Sequence, residues 1–268
     1  YGDSIDSYQI WNEANLKTFY TGTPAQMAQL TAEAAKIIRA KDPTATIVAA
    51  STTMRLTSAY QSFFPKYLKE LKKKGWPIDV FAIHTYGPST ATPAIRDQYV
   101  AQARKDLKKA GAPAKPLWDT EVNYGIAGPD KKNKHRDITG ATAAAWVAST
   151  YLDSLRLGVD RAYWYFWDSP NSLVGIQMWP GSAGAAGYQN VYNWLGNAWV
   201  DCFTGATNHC SITKDGIDSQ VAWTSQGTST FRPPDYATRM CDALMNCQAI
   251  EPGKIQTIGT MPQWFVAG

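Results

Sequence analysis

An alternation constrains this chain more than any other feature. Short apolar runs recur five times before about residue 170, separated by longer stretches with helical spacing. The runs are Ser7 to Glu13 (SYQIWNE), Thr46 to Ser51 (TIVAAS), Asp79 to Tyr86 (DVFAIHTY), Pro116 to Val122 (PLWDTEV) and Asp160 to Trp167 (DRAYWYFW). Between them, about residues 24–41, 60–74, 94–110 and 137–157 place apolar side chains at helical intervals, and 188–203 is expected to follow as a further helix. Thr23-Pro24 supplies a cap and a first-turn proline, and Gly111 falls just past a helix end, where glycine is favoured. Apolar strands joined by helices of this length mean βα units and a parallel sheet buried on both faces.

After about residue 205 the pattern breaks up. Short runs at Ser219 to Thr224, Ser229 to Arg232, Lys254 to Ile258 and Trp264 to Val266 alternate with Gly and Pro, which predicts a small β-sandwich-like domain. The expected division is 1–204 for the α/β portion and 205–268 for the small β-rich domain. Cys202, Cys210, Cys241 and Cys247 cluster late in the chain, without the spacing of a zinc site. Four cysteines admit three pairings. Cys202–Cys210 and Cys241–Cys247 are expected, because each closes a short loop inside one subdomain; four buried free thiols are the alternative. Disulfides would mean an oxidising compartment, and hence a secreted protein. The chain begins at Tyr1 with neither an initiator Met nor a signal peptide, as expected of a processed product or one part of a larger protein.

Charge narrows the function classes. A formal charge of +4 is small for 268 residues, and the basic run Lys69, Lys72, Lys73, Lys74 reads as the solvated end of a helix. Nucleic-acid binding would interleave basic residues with stacking aromatics on one face, so no nucleic-acid partner is expected. No run of eighteen apolar residues offers a membrane span. Eleven Trp and fourteen Tyr say more, because flat aromatic faces suit the apolar faces of sugar rings.

Two of the expected strands end in glutamate: Glu13 follows Trp11-Asn12, and Glu121 follows Trp118-Asp119-Thr120. Parallel α/β barrels gather their reactive groups at the C-terminal strand ends. Two carboxyls meeting there supply what glycosidic cleavage needs, one proton donor and one group that attacks or activates water. Their surroundings must keep one protonated and the other ionised. Asn12 can hydrogen-bond a sugar hydroxyl; His84 and Tyr86 can hold the nucleophile or the ring; Trp164 or Trp167 can floor a subsite. Trp179, in a loop with Gly175 and Gly181, either extends that platform or packs within its loop. Asp119, two residues before Glu121 and so expected on the same side of its strand, either orients the nucleophile or makes a structural hydrogen bond. His135, among Lys131, Lys132, Lys134 and Arg136 after Gly128-Pro129, reads as exposed loop. With three His and none spaced i, i+4 from another, no metal site is expected. The chain has no GxxxxGK, GxGxxG or GxSxG motif.

In order, Trp11-Asn12-Glu13, His84-Thr85-Tyr86, Trp118-Asp119-Thr120-Glu121 and Trp164 to Trp167 resemble the second half of a clan A glycoside hydrolase, across about residues 7–168. The β-rich tail is similar to the small β-domain of families five, thirty and thirty-nine. The resemblance implies a (β/α)8 TIM barrel of which this chain carries strands four to eight. It implies Glu13 as acid/base, Glu121 as nucleophile, Asn12 as the contact to the sugar 2-hydroxyl and Tyr86 as the partner of Glu121, with His84 and Trp167 lining the cleavage subsite. The implied reaction is retaining double displacement on a glycan substrate, without a cofactor. Barrel strands one to three are not in this chain; a preceding segment or a second chain is expected to supply them, since two apolar sheet edges would otherwise stand open. The competing reading is a non-catalytic carbohydrate-binding or structural module of a larger extracellular or phage-tail-like assembly.

Overall fold

The elements follow from local chemistry that can be named residue by residue. In a computed structural model of the chain, residues 4–128, 130–168 and 173–268 are described; Pro129 of the expected 128–136 loop lies outside them. The chain runs β1 (Ser7–Gln9), α1 (Pro24–Lys41), β2 (Thr46–Val48), α2 (Thr57–Lys73), β3 (Phe81–His84), α3 (Ile95–Ala110), β4 (Leu117–Val122), α4 (Gly140–Arg156), β5 (Arg161–Trp164) and α5 (Ala183–Leu195). Eight strands follow: β6 (Trp199–Phe203), β7 (Asn208–Lys214), β8 (Ile217–Trp223), β9 (Ser229–Phe231), β10 (Arg239–Asp242), β11 (Cys247–Ala249), β12 (Gln256–Ile258) and β13 (Gln263–Val266). They divide between two units. The first takes the described residues up to Gly87 with Ile95–Val122 and Val159–Trp164; the second takes Pro88–Ala94, Asn123–Gly158 and Tyr165–Gly268.

In the first unit, β1 pairs in parallel with β2, and β3-β4-β5 form a parallel three-stranded sheet. Parallel bridges Val48–Val80 and Thr53–His84 join the two into one row of five strands in chain order. That is the arrangement βα units give when each strand lies beside the one before it. Helix α1 starts where the spacing predicts: Thr23 Oγ1 accepts from the Gln26 amide at 3.2 Å, and Gln26 Oε1 accepts from the Thr23 amide at 2.8 Å. All four residues of β3 are buried, as a strand covered on both faces requires. Arg39 at the end of α1 makes two 2.7 Å bonds to the Asp79 carboxylate, which also accepts from the Ile47 amide at 2.8 Å. This ties the last turn of α1 to the starts of β2 and β3. One face of the strand row carries Ser7, Gln9, Val48, Trp118, Thr120 and Tyr163 around a cavity of about 280 Å³. Arg161 lies 4.5 Å above the Trp118 ring there.

The second unit is a sheet with helices on one face. Strands β11-β10-β13-β8-β7-β6 form one antiparallel sheet, and β9 pairs separately with β12. Ala148 and Leu152 of α4 and Val191 and Trp194 of α5 pack against Cys210, Ile212, Val221 and Trp223. On the other face Phe231 and Ile258 pack with Ala222, Met240 and Phe265. Both expected disulfides are present, Cys202–Cys210 and Cys241–Cys247, each joining directly opposed residues of neighbouring strands. The expected helix at 188–203 is corrected. Helix α5 starts at Ala183, capped by Ser182, and stops before Gly196, and residues 199–203 are a strand. The Trp-Val-Asp-Cys-Phe segment alternates exposed and half-buried positions with the period of a strand, so it joins the sheet. Among the described residues no helix is long and apolar enough to cross a membrane.

Helices α4 and α5 approach closely because Gly187 has no side chain. A Cβ there would stand 2.6 Å from the Ala144 carbonyl oxygen and 2.8 Å from its Cα. Gly187→Ala should therefore force the two helices apart and cost on the order of 1–3 kcal/mol, read as a lower midpoint in urea unfolding; an unchanged midpoint would show that this contact yields freely.

Candidate active site

The carboxylates at 13 and 121 reach one another from the C-terminal ends of β1 and β4. Strand β1 stops at Gln9, short of the expected Glu13, and the chain turns sharply: Trp11 has φ 83° and Glu13 φ 41°, both left-handed. Ser51, just past β2, fixes this turn. Its Oγ accepts from the Glu13 amide at 2.9 Å and donates to Asn12 Oδ1 at 3.2 Å. Asn15 adds two bonds to the Thr53 backbone, at 2.9 and 3.0 Å. Asn12 itself is exposed, whereas Glu13 is buried.

His84, the last residue of β3 and wholly buried, joins the pair. Its Nδ1 lies 3.0 Å from Glu13 Oε1 and 3.6 Å from Glu121 Oε2. Its Nε2 lies 3.1 Å from Thr120 Oγ1. With the Thr120 hydroxyl donating to Nε2, Nδ1 carries the proton toward the two carboxylates. Tyr86 donates its hydroxyl to Glu121 Oε2 at 2.9 Å. One oxygen of Glu13, one of Glu121 and a His84 ring nitrogen all lie within 4.8 Å of one another. Two carboxylates and an imidazole at that spacing are also a donor set a divalent ion accepts.

Burial pushes the Glu121 carboxyl above the ordinary carboxylate range, and the charges of Glu13 and Asp119 push the same way; His84 and the Tyr86 hydroxyl oppose them. Arg55, half-buried just beyond β2, is pulled below its ordinary value by burial and held up chiefly by the charge of Glu13. A cation just past the end of β2 is thus electrostatically coupled to Glu13. Neither Arg55 nor Ser51 was among the expected site residues, because a lone Arg or Ser past an apolar run has no spacing that distinguishes it.

Asp119 departs from its expected orientation. The register runs Ile83 opposite Asp119 and then His84 opposite Glu121, so Thr120 is an extra residue in β4. Such a bulge breaks the two-residue alternation and turns Glu121 to the side opposite Asp119. Asp119 is fully buried and bonds elsewhere: it accepts from the Thr85 amide at 3.1 Å, from the Thr85 hydroxyl, and from Arg96 Nη2 at 3.1 Å. Its reach to the site is through Thr85, which sits between His84 and Tyr86. Trp164 ends β5 in the same unit, half-buried. Trp167 and Trp179 belong to the second unit, at 53% and 49% exposure, on segments joined by the Trp167–Met178 bridge. His135 bonds Asp137 at 2.9 Å in its loop.

The model of the glycosyl hydrolase catalytic core matches residues 6–176. A β-xylosidase of Caldicellulosiruptor saccharolyticus is 28% identical over 172 residues, covering 60% of this chain and 33% of that protein. A family 39 glycoside hydrolase from Bacteroides cellulosilyticus WH2 superposes with TM-score 0.67 at 16% identity, over all of this chain and 59% of its own. An α-L-arabinofuranosidase from Thermotoga maritima does so with TM-score 0.63 at 13% identity, over 96% of this chain and 65% of its own. The chain thus spans about a third of the curated relative and under two thirds of these structures.

The direction of the Glu121 shift sets a stability test. A carboxyl held above its unfolded value stabilises the fold below the ordinary carboxylate range, and loses that contribution as pH rises through the raised value. Glu121→Gln, neutral at every pH, should melt above the parent at pH 7, the gap closing toward pH 4. A parent that melts higher than the variant at pH 7 would reverse the sign.

Proposed function

The chain belongs to the glycosyl hydrolase catalytic core family, and from that premise we propose that it cleaves O-glycosidic bonds of a glycan by double displacement with retention. The observation that carries this reading is the separation of the carboxylates. One oxygen of Glu13 and one of Glu121 lie within 4.8 Å of each other, so the two carboxyls can flank a single glycosidic bond, as the closely spaced pair of a retaining enzyme does. The family resemblance makes Glu121 the nucleophile; the Tyr86 hydroxyl donated to its Oε2 favours the ionised form, against the burial that raises its pKa. Its carboxylate attacks the anomeric carbon while the carbon–oxygen bond to the leaving group breaks and Glu13 protonates the departing oxygen. In the second step Glu13, now ionised, takes a proton from water as that water attacks the same carbon, and Glu121 leaves.

His84 Nδ1 is hydrogen-bonded to Glu13 at 3.0 Å and stands 3.6 Å from Glu121, which suits a site where a proton resides on one of two neighbours. Arg55 offsets the negative charge that collects when both are ionised. Asn12 contacts the 2-hydroxyl, and Trp164, Trp167 and Trp179 offer sugar-stacking faces. The reaction needs no cofactor.

The five parallel strands are the fourth to eighth of a (β/α)8 barrel in 1–204, with the β-rich 205–268 beside them in sequence. The outer edges of β1 and β5 have no strand partner among the described residues, and Tyr163 on β5 is 42% exposed. Strands from a preceding segment or a second chain close that gap. Disulfides on β6–β7 and β10–β11 suit a secreted protein.

Substitution separates the two roles. Glu13→Gln should slow hydrolysis by about 10²–10⁴-fold, and by much less when the leaving group is a good one such as dinitrophenolate. Glu121→Gly should abolish turnover, with added azide restoring it as the inverted glycosyl azide. Hydrolysis that survives either change at parental rate, measured by product release with polarimetry or NMR of the anomer, would overturn the assignment.

A further inference from the structure

The sheet of the second unit has a face that α4 and α5 do not cover. Across β6, β7 and β8 its side chains align in three rows: Trp199 with Thr213 and Asp218, Asp201 with Ser211 and Gln220, Phe203 with His209 and Ala222. Phe231 of β9 meets the third row, its ring 5.5 Å from His209, and Tyr236 is electrostatically coupled to Asp218 in the first. In the first row Trp199 is 66% exposed; Phe203, further along the same strand, is 46% exposed with its other side stacked on His209 at 4.9 Å. These two aromatics stand four residues apart on an extended strand, about 13 Å.

Between them the groups are polar and already held. Thr213 donates to Asp218 Oδ1 at 2.7 Å, and Gln220 donates to Ser211 Oγ at 3.3 Å. Fixed hydroxyl, amide and carboxylate groups beside an exposed indole match a sugar, which offers an apolar ring face and a rim of hydroxyls. Groups ordered before binding also lower its entropic cost. The charges on these rows are the two carboxylates of Asp201 and Asp218, and burial moves His209 toward its neutral form. Such a face rejects an anionic ligand.

We infer that this face is a glycan-binding site separate in its residues from the Glu13–Glu121 pair, taking an uncharged oligosaccharide along β6 from Trp199 to Phe203. The inference leans on the glycosidase reading only in choosing a glycan among neutral ligands. Its test is native gel electrophoresis of the full chain carrying Glu121→Gln, through gels containing neutral xylan or mixed-linkage glucan, or anionic polygalacturonate. Retardation is expected in the neutral gels and not in the anionic one. Trp199→Ala, on an exposed position, should weaken that retardation at least tenfold with an unchanged melting temperature. In a chain with Glu121 intact, the same substitution should leave hydrolysis of a small aryl glycoside unaltered. Three results overturn the inference: a parent not retarded by any neutral glycan, retardation that Trp199→Ala leaves as it was, or a dimer that Trp199→Ala dissociates, which would make the face a contact between copies. Retardation that depends on Trp199 in a chain without hydrolytic activity would instead remove the catalytic reading and leave this site standing.

Discussion

A buried knot of three side chains holds the candidate active site together. Asp119 and Arg96 are wholly buried, and an ion pair so far from water is tolerable only when hydrogen bonds satisfy what the partners leave over. Thr85 provides them: its amide and hydroxyl donate to Asp119, and its oxygen accepts from Arg96 Nε at 3.2 Å. The knot locks α3 to the ends of β3 and β4. Thr85 is flanked by His84, which touches both glutamates, and by Tyr86, which touches one. The geometry of the carboxylate pair is therefore inherited from an interaction that contacts neither of them.

Much of this was legible in the amino-acid sequence, and for a physical reason. Strands buried on both faces must be apolar throughout, so polar residues such as Glu13, His84 and Glu121 stand out where those runs end. The disulfides were legible because their partners lie close along the chain. The bulge at Thr120 was not, since a register shift depends on the neighbouring strand, and the two-residue rule then put Asp119 on the wrong side. Ser51 and Arg55 were hidden for a related reason: their importance comes from what β1 and β3 bring to them, and nothing in Ser-Thr-Thr-Met-Arg announces it.

The strands of the second unit carry weaker signals in the amino-acid sequence. Strand β7 offers only Cys210 and Ile212 to the core, and β10 and β11 are short, so neither the apolar count nor the length marks them. Apolar spacing continues from α5 into β6, so the boundary between them rests on Gly196, which terminates the helix, and on the two-residue alternation that follows. Both disulfides cross-link directly opposed residues of neighbouring strands, and with sequence separations of 8 and 6 each constrains only a short loop of the unfolded chain.

The left-handed backbone at Glu13 has a consequence for anyone who would improve this molecule. A residue with a Cβ at φ 41° gives up roughly 1–2 kcal/mol that glycine would keep. Selection for thermal endurance alone, blind to turnover, would be drawn to glycine at this position and would in the process discard the carboxylate that His84 holds. Heat tolerance and chemistry pull against each other at a single backbone angle, and a screen that scores both is the one that retains the carboxylate.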